Sequence, residues 1–110
     1  MSYKLITSFE YDKSLKGIVK NQRSILKDVS KLYDTLEIDP HQGILIKKNT
    51  YKIRMAITSK GRGKSGGARV ITYVIDEDEK LILLDIYDKS EQENISDAEI
   101  KQIIDSLKID

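Results

Sequence analysis

The chain has 110 residues, a formal net charge of +1, no cysteine and one histidine, and this length suits a single domain at residues 1–110. The lack of cysteine excludes disulfides, thiol catalysis and thiolate metal ligands, and a lone histidine argues against a transition-metal site, so we expect neither a metal nor another cofactor. No apolar run approaches the ~20 residues of a membrane span, and residues 1–13 lack the apolar stretch of a signal peptide, so we expect a cytoplasmic protein with no membrane partner.

The first third of the chain predicts one strand and two helices. Residues 3–9 alternate well enough for a short strand. From Ser14 onward apolar residues recur at helical spacing, and this pattern breaks at residues 20–23, before Ser24, which can cap a new helix. We interpret the pattern as two antiparallel helices joined near Asn21, with one bent helix as the alternative.

The middle of the chain changes to the alternation of a sheet. Pro40 and Gly43 mark the break, and His41 between them is interpreted as a turn residue. Three strands are then predicted, the last two joined as a hairpin by an acidic turn, at residues 51–58, 68–75 and 80–88.

The C-terminal region predicts a helix. Ser96 and Glu99 have the spacing of a capping box, and apolar residues follow at helical spacing. The element order is therefore strand, two helices, three antiparallel strands and helix. We predict an α+β fold in which a small antiparallel sheet of about four strands packs with an N-terminal helical pair and a C-terminal helix.

The net charge conceals a strong division along the chain. Residues 1–39 carry a net charge of +1, residues 40–75 carry eight basic and no acidic groups, and residues 76–110 carry a net charge of −8. A cationic middle indicates a surface that binds a polyanion, and an ordinary solvated face is the alternative.

The loop at residues 59–67 is rich in glycine and cations. Gly63-Lys64-Ser65 matches the end of a nucleotide-binding phosphate loop, but Thr58 stands where that motif has its first glycine, and a strand follows instead of a helix. A flexible loop remains, whose backbone can approach a phosphodiester while its side chains neutralise the charge. A solubilising hairpin loop is the alternative. Five cations fall within 16 residues that contain no acid: Arg54, Lys60, Arg62, Lys64 and Arg69.

The last predicted strand ends with a tyrosine and a lysine. By alternation Tyr87 and Lys89 share one face with Leu81, Leu83 and Asp85. A tyrosine and a lysine beside several arginines can stack a base, donate a proton or stabilise a phosphorane. The alternative is a packing tyrosine followed by a charge at the end of the strand.

Three stretches then carry a family resemblance. They are Tyr51-Lys52-Ile53-Arg54, the pattern K-G-x-G-K-S-G-G-x-R that begins at Lys60, and the I-Y-x-K pattern that ends at Lys89. Together they resemble the RelE/ParE superfamily of bacterial toxins, most closely its HigB-like branch, in element order over nearly the whole chain. The resemblance implies a RelE-like fold and a type II toxin–antitoxin system, in which a cognate antitoxin silences the toxin. It also implies a metal-independent endoribonuclease that cuts messenger RNA on the ribosome and inhibits translation.

The resemblance further implies the site. The loop supplies the phosphate-binding and base-supplying group, an arginine opens the central strand, and the tyrosine and lysine close the last strand. The predicted catalytic residues are Lys60, Arg62, Lys64, Arg69, Tyr87 and Lys89. The predicted RNA-binding residues are Lys52, Arg54, Lys60, Arg62 and Lys64.

We hypothesise that the 2′-hydroxyl of the RNA attacks the adjacent phosphate, leaving a 2′,3′-cyclic end and a free 5′-hydroxyl. Lys60 or Lys64 is the base, Arg62 and Arg69 hold the developing charge, and Tyr87 stacks on a base or donates the proton. Two other functions stay open. They are a ParE-like inhibitor of DNA gyrase, and a non-catalytic module whose basic strip binds RNA or an acidic protein segment.

Overall fold

The computed structural model describes residues 2–61 and 63–107. In chain order their strands and α-helices are β1 (Lys4–Thr7), α1 (Phe9–Val19), α2 (Ile25–Leu36), β2 (Ile44–Lys47), β3 (Thr50–Met55), β4 (Ala68–Ile75), β5 (Lys80–Asp88) and α3 (Asp97–Ser106). The strands form one sheet in the order β1-β5-β4-β3-β2. The predicted α+β class, with an N-terminal helical pair and a C-terminal helix, is confirmed.

The sheet differs from the predicted one in strand number and in one pairing. The additional strand is β2, which pairs antiparallel with β3 at the sheet edge through a turn that holds Asn49 at a φ of 60°. β1 runs parallel to β5, which the long connection between these two strands permits. The predicted hairpin of β4 and β5 has the expected bounds and is antiparallel.

The first helix begins earlier than the sequence pattern predicted. The buried Ser8 is its N-cap, and the Ser8 hydroxyl accepts a hydrogen bond of 2.9 Å from the Tyr11 N–H. This cap ends β1 at Thr7 and makes Phe9 the first residue of α1 rather than the last residue of a strand. The two helices are separate, as predicted.

The two faces of the sheet carry different cores. On the face that we call the first face, α1 and α2 pack on the strands with their buried side chains Tyr11, Ile18, Ile25, Val29 and Leu36. The opposite face, the second face, carries a smaller core. There the C-terminal segment places Ile95, Ile100 and Ile103 on Ile71, Ile82, Leu84 and Tyr87.

α3 starts with the predicted capping box, because the Ser96 hydroxyl accepts a hydrogen bond of 3.1 Å from the Glu99 N–H. Within the two described ranges, no helix combines the length and the apolar character needed to cross a bilayer.

A β-bulge in β5 determines which face its last residues occupy. Ile71 pairs with Asp85 and Thr72 pairs with Leu83, so Leu84 is an extra residue in the ladder. An extra residue reverses the alternation of all side chains that follow it. Leu83 therefore lies in the core of the first face, whereas Tyr87 lies on the second face. The predicted common face for Leu81, Leu83 and Tyr87 was wrong for this reason.

Candidate functional site

Arg54, Arg69 and Tyr87 form one row across three neighbouring strands. Arg54 of β3 pairs with Arg69 of β4, and Arg69 pairs with Tyr87 of β5, so that successive Cβ atoms are about 5 Å apart. Lys52 lies two residues before Arg54 and shares its side of β3. The second face thus brings together four residues that the sequence predicted for catalysis or RNA binding.

The two arginines of this row are a like-charge pair. The Arg54 side chain is exposed, whereas Arg69 is only 3% exposed. Among the described residues, no carboxylate oxygen lies within 4.0 Å of either guanidinium group. Like charges directly opposite each other destabilise an antiparallel pair, and an anion bound between them removes the repulsion. The pair is therefore a candidate anion site.

Arg69 also holds the cationic loop against the end of the sheet. Its Nη1 donates to the carbonyl oxygens of Lys64 at 3.0 Å and Ala68 at 3.1 Å, and its Nη2 donates to that of Ser65 at 3.4 Å. The side chain of Lys64 is exposed, while its backbone carbonyl is bonded to Arg69. Arg62, a predicted catalytic and RNA-binding residue, lies outside the described residues.

Gly67 closes the loop in tight contact with β3. A Cβ atom at this position would lie 2.1 Å from the carbonyl oxygen of Met55, a distance that no side chain tolerates without a backbone shift. The carbonyl oxygen of Gly67 accepts from the Lys89 N–H at 3.0 Å, which extends the ladder to Lys89. The exposed side chain of Lys89 is thereby held near the end of the loop.

Lys60, the other predicted base, lies in a buried ion pair. Its Nζ contacts Asp88 Oδ1 at 2.5 Å, with side-chain exposures of 12% for Lys60 and 3% for Asp88. The same Nζ donates to Ser90 Oγ at 2.9 Å and to the Gly66 carbonyl oxygen at 3.4 Å. An ammonium group has three donors, so all of them are used within the protein. The structure places Lys60 as an anchor of the loop, apart from the arginine row.

The surroundings of the Asp88 carboxylate favour its charged form, which the ion pair with Lys60 requires. Burial raises the pKa of Asp88, but hydrogen bonds from Lys60 and from the hydroxyl and N–H of Ser90 outweigh burial, and its pKa lies below the ordinary value. No sequence pattern pointed to Asp88, because a single acid at the end of a strand is typical of an ordinary surface charge.

A second carboxylate holds the start of the loop. The Asp28 oxygens of α2 accept from the Thr58 N–H at 3.0 Å, the Thr58 hydroxyl at 2.5 Å and the Ser24 hydroxyl at 2.8 Å. Burial raises the pKa of Asp28, and these hydrogen bonds lower it to a value below the ordinary one. Asp28 was not among the residues predicted for the site either. The only available signal was an acid on the apolar side of an amphipathic helix.

Tyr87 has the least usual environment of the row. Its hydroxyl is buried, and no residue that the structure describes gives it a hydrogen-bond partner. Burial raises the pKa of Tyr87; the charge of Arg69 opposes the rise and the charge of Asp85 adds to it. The phenol is therefore protonated at neutral pH, and its proton has no acceptor among the described residues.

Lys52 connects the row to the C-terminal segment. Its Nζ donates a 3.0 Å hydrogen bond to Asn94 Oδ1 in the segment before α3.

Over residues 2–61 and 63–107, no three His, Asp or Glu side chains are grouped so as to hold a metal ion.

Comparisons with known proteins identify the family and the fold of this chain. The model of the family described as the RelE toxin of the RelE/RelB toxin–antitoxin system matches residues 22–108. A mutant of the Escherichia coli toxin RelE in the free state is 16% identical, with a TM-score of 0.61 over 99% of this chain and 100% of that chain. The isolated E. coli RelE toxin is also 16% identical, with a TM-score of 0.58 over 96% and 99%.

A third solved structure is the RelBE2 toxin–antitoxin complex from Mycobacterium tuberculosis. It is 17% identical, with a TM-score of 0.60 over 80% of this chain and 92% of that chain. At such identities the structures establish the RelE fold, and the predicted HigB-like branch stays a prediction. The family model covers most of the chain and its fold is the fold observed here, and the chain therefore belongs to the RelE toxin family of toxin–antitoxin systems.

Proposed function

We propose that this toxin is a metal-independent endoribonuclease that cuts messenger RNA on the ribosome. The observation that carries the proposal is the row of Arg54, Arg69 and Tyr87, in which two facing cations lie beside a phenol, and the described residues supply neither a carboxylate to the cations nor an acceptor to the phenol. A phosphodiester supplies both the negative charge and the oxygen acceptor that this row requires.

The exposed Arg54 serves as the direct phosphate ligand, and the buried Arg69 adds its positive charge from beneath it. A guanidinium group binds two phosphate oxygens at once and stays charged at every physiological pH. Arg69 is held by the loop carbonyls, so it is already oriented when RNA arrives. Charge that develops on the pentacoordinate phosphorus is stabilised without a large rearrangement. Lys52 and Lys89 add positive charge around this site.

The reaction is an intramolecular transesterification within the RNA. The 2′-oxygen of the RNA bonds to phosphorus, and the bond from phosphorus to the 5′-oxygen breaks. The proton of the 2′-hydroxyl passes to the base, and the departing 5′-oxygen takes the proton of Tyr87. The products are a 2′,3′-cyclic phosphate and a free 5′-hydroxyl.

The base is assigned to Lys64, which accepts the proton of the 2′-hydroxyl as a neutral amine and becomes an ammonium group. The two sequence candidates were Lys60 and Lys64, and the three donors of Lys60 are all engaged by Gly66, Asp88 and Ser90. The side chain of Lys64 is exposed next to Arg69. Lys60 then contributes to activity by holding the loop.

The proposed partners follow from the family. RelE toxins belong to a toxin–antitoxin system, and a solved relative is a toxin–antitoxin complex. We assign this chain a cognate antitoxin, and a cytoplasmic site of action on ribosomes that carry messenger RNA.

The test compares two tyrosines of the same face. Tyr73 is half-buried on β4 and packs against the same small core as Tyr87, so Tyr73→Phe is a matched control for Tyr87→Phe. Wild type and both variants are added to ribosomes programmed with a defined message, and RNA ends are mapped. We expect codon-phased cuts with 2′,3′-cyclic ends for wild type and Tyr73→Phe, and a large loss for Tyr87→Phe.

Expression of the wild-type protein in a bacterium, with RNA ends mapped in the same cells, separates the other functions. Growth arrest with intact messages and DNA damage signalling would assign the protein to gyrase inhibition instead. Binding of RNA without cleavage or growth arrest would leave a non-catalytic module. Equal cleavage by Tyr87→Phe and Tyr73→Phe would reject the role of Tyr87.

A further inference from the structure

The cationic loop is attached at its start to a carboxylate that lies on another element of the fold. Asp28 lies in the first turn of α2 and is 6% exposed. Its Oδ1 accepts from the Thr58 hydroxyl at 2.5 Å, and its Oδ2 accepts from the Thr58 N–H at 3.0 Å. Both donors of Thr58 therefore point to one carboxylate, which determines where the loop begins and in which direction.

Ser24, the residue before α2, strengthens this attachment. Its hydroxyl donates to Asp28 Oδ2 at 2.8 Å and accepts from the Ser59 N–H at 2.8 Å. Burial raises the pKa of Asp28, but the hydrogen bonds from Thr58 and Ser24 and the charge of Lys31 hold this pKa below the ordinary value. The carboxylate is thus charged at neutral pH, and hydrogen bonds to a charged acceptor are the stronger ones.

The attachment reaches Lys60 through a single 3₁₀ turn, Thr58–Lys60. Within it, the Lys60 N–H donates to the Ile57 carbonyl oxygen at 2.9 Å, and the Gly61 N–H donates to the Thr58 carbonyl oxygen at 3.1 Å. The residue held by Asp28 and the lysine paired with Asp88 are therefore the two ends of one hydrogen-bonded turn. A displacement of Thr58 moves the Lys60 backbone with it.

Lys60 joins this turn to the second half of the loop. Its Nζ is paired with Asp88 and donates to the Gly66 carbonyl oxygen at 3.4 Å. Gly66 ends a second 3₁₀ turn, Lys64–Gly66, whose first residue is the proposed base. Arg69 holds the same turn through the Lys64 carbonyl oxygen. A continuous series of contacts thus leads from Asp28 to Lys64.

Asp28 itself is not placed to exchange a proton with RNA. Both of its oxygens accept hydrogen bonds from Thr58 or Ser24, and its side chain is buried. Its contribution to the reaction must therefore pass through the loop. Misplacement of a reacting group by about 1 Å can lower a rate by about 10²-fold, so the hold on the loop bears directly on the rate.

We propose that Asp28 is a positioning residue of the nuclease site, which orients the cationic loop so that Lys64 reaches the 2′-hydroxyl of the RNA. The proposal rests on the proposed function. It deepens that function by adding a residue of α2, an element outside the basic loop and the sheet, to the groups on which cleavage depends.

The test compares substitutions at the two ends of this contact. Asp28→Asn keeps the shape of the side chain but replaces one acceptor oxygen with an NH₂ group, which cannot accept a hydrogen bond. Thr58→Val removes the Thr58 hydroxyl and keeps the branched shape. Thr58→Ser keeps the hydroxyl and is the conservative variant that should rescue the contact.

Ser8→Ala is the matched control for a loss of stability alone. Ser8 is 2% exposed, and its hydroxyl donates to the Leu84 carbonyl oxygen at 2.7 Å and caps α1 through the Tyr11 N–H. The substitution therefore removes a buried, hydrogen-bonded hydroxyl that holds α1 and β5 rather than the loop, and it should lower the melting temperature. All cleavage is measured below the melting temperature of the least stable variant.

The first readout is steady-state cleavage of a message on ribosomes. We expect kcat to fall by about 10- to 100-fold in Asp28→Asn and Thr58→Val. KM should stay close to the wild-type value, because the direct phosphate ligand Arg54 is unchanged. Thr58→Ser should recover most of kcat, and Ser8→Ala should cleave as wild type does.

The second readout is amide hydrogen exchange, which reports on the loop without any reference to activity. The N–H groups of Lys60, Gly61 and Gly67 donate within the two 3₁₀ turns. In Asp28→Asn we expect them to exchange about tenfold faster than in wild type, because the turns open more often. In Ser8→Ala their exchange should be unchanged.

Three results would overturn the inference. They are loop exchange in Asp28→Asn at the wild-type rate, faster loop exchange with an unchanged kcat, and an equal loss of kcat in Asp28→Asn and Ser8→Ala. A wild-type protein that leaves messages intact would reject the proposed nuclease function instead. Faster loop exchange in Asp28→Asn would still support the hold of Asp28 on the loop in that case.

Discussion

Arg54 and Arg69 face each other across β3 and β4, and the described residues place no carboxylate within 4.0 Å of either. Folding therefore brings two positive charges together on the second face. The repulsion is small in water, on the order of 0.2–1 kcal/mol for a cross-strand pair. An anion-binding site explains why two cations lie side by side in spite of this repulsion, whereas a surface with no ligand does not.

The first prediction concerns a variant, Arg54→Gln, that removes this repulsion. Arg54→Gln should leave the free energy of unfolding unchanged or raise it by about 0.5 kcal/mol, while cleavage falls at least tenfold. Inorganic phosphate should raise the melting temperature of wild type more than that of the variant. Lys4→Gln is the control, and it should respond to phosphate as wild type does. An equal response of Arg54→Gln would show that the pair does not bind the anion.

The second prediction separates stability from activity at Tyr87. Because its buried hydroxyl has no partner among the described residues, Tyr87→Phe should raise the free energy of unfolding by about 1 kcal/mol. The loss of the proton donor should lower the cleavage rate by about 10²- to 10⁴-fold. Urea unfolding and single-turnover cleavage measure the two quantities. A destabilised Tyr87→Phe would mean that the hydroxyl stabilises the fold.

The third prediction distinguishes the two lysines of the loop. Lys60→Met leaves the buried Asp88 carboxylate unpaired and should lower the free energy of unfolding by about 3–5 kcal/mol. Lys64→Met changes an exposed side chain and should alter stability by less than about 0.5 kcal/mol, yet abolish most cleavage. Restoration of stability, though not of cleavage, by adding Asp88→Asn to Lys60→Met would support the anchor role. A stable Lys60→Met protein that has lost cleavage would instead make Lys60 the base.

The fourth prediction concerns pH. The pKa of Asp88 is lowered in the fold, so its contribution to stability is present above the ordinary value of 3.8 and is lost as pH falls through the lower folded value. The pKa of Asp85 is raised, chiefly by burial and further by Glu99 and Glu10, against hydrogen bonds from Ser14 and the Ile86 N–H. The contribution of Asp85 to stability therefore has the opposite pH dependence. The free energy of unfolding falls as pH rises from 3.8 through the higher pKa of Asp85 in the folded state.

Asparagine variants measure these two contributions. Asp88→Asn should lower the melting temperature at pH 7, with a smaller effect below about pH 4. Asp85→Asn should raise it at pH 7, because the amide keeps an acceptor for Ser14 and carries no buried charge. The two melting-temperature profiles against pH should therefore deviate from wild type in opposite directions. Deviations of the same sign would contradict the assignment.

Much of the fold could be predicted where the local sequence pattern matches the burial of the residues in the folded protein. β4 and β5 have the predicted bounds because their apolar runs are buried on both faces, and the capping box at Ser96 placed the start of α3. β2 was missed because its apolar residues Ile44 and Leu45 are exposed on an edge strand and do not alternate between a buried and a solvated face.

The candidate site was predictable in residue type but not in arrangement. The run of cations without acids along the sequence identified the loop and its neighbouring arginines. No sequence pattern showed that Lys60 is engaged by Asp88, since the two residues are 28 positions apart. Alternation also failed to place Tyr87, because the bulge in β5 is visible only in the pairing with β4.

The extra residue Leu84 decides which residue of β5 lies beside Arg69. If β5 continued in the register of its first half without the bulge, Ile86 would pair with Arg69, and Tyr87 would pair with Ala68 on the first face. The Asp88 carboxylate would then point to the second face, away from Lys60. A relative whose β5 keeps the same length without this bulge would retain the sheet and every cation of the loop, yet would present an isoleucine where this chain presents the Tyr87 phenol.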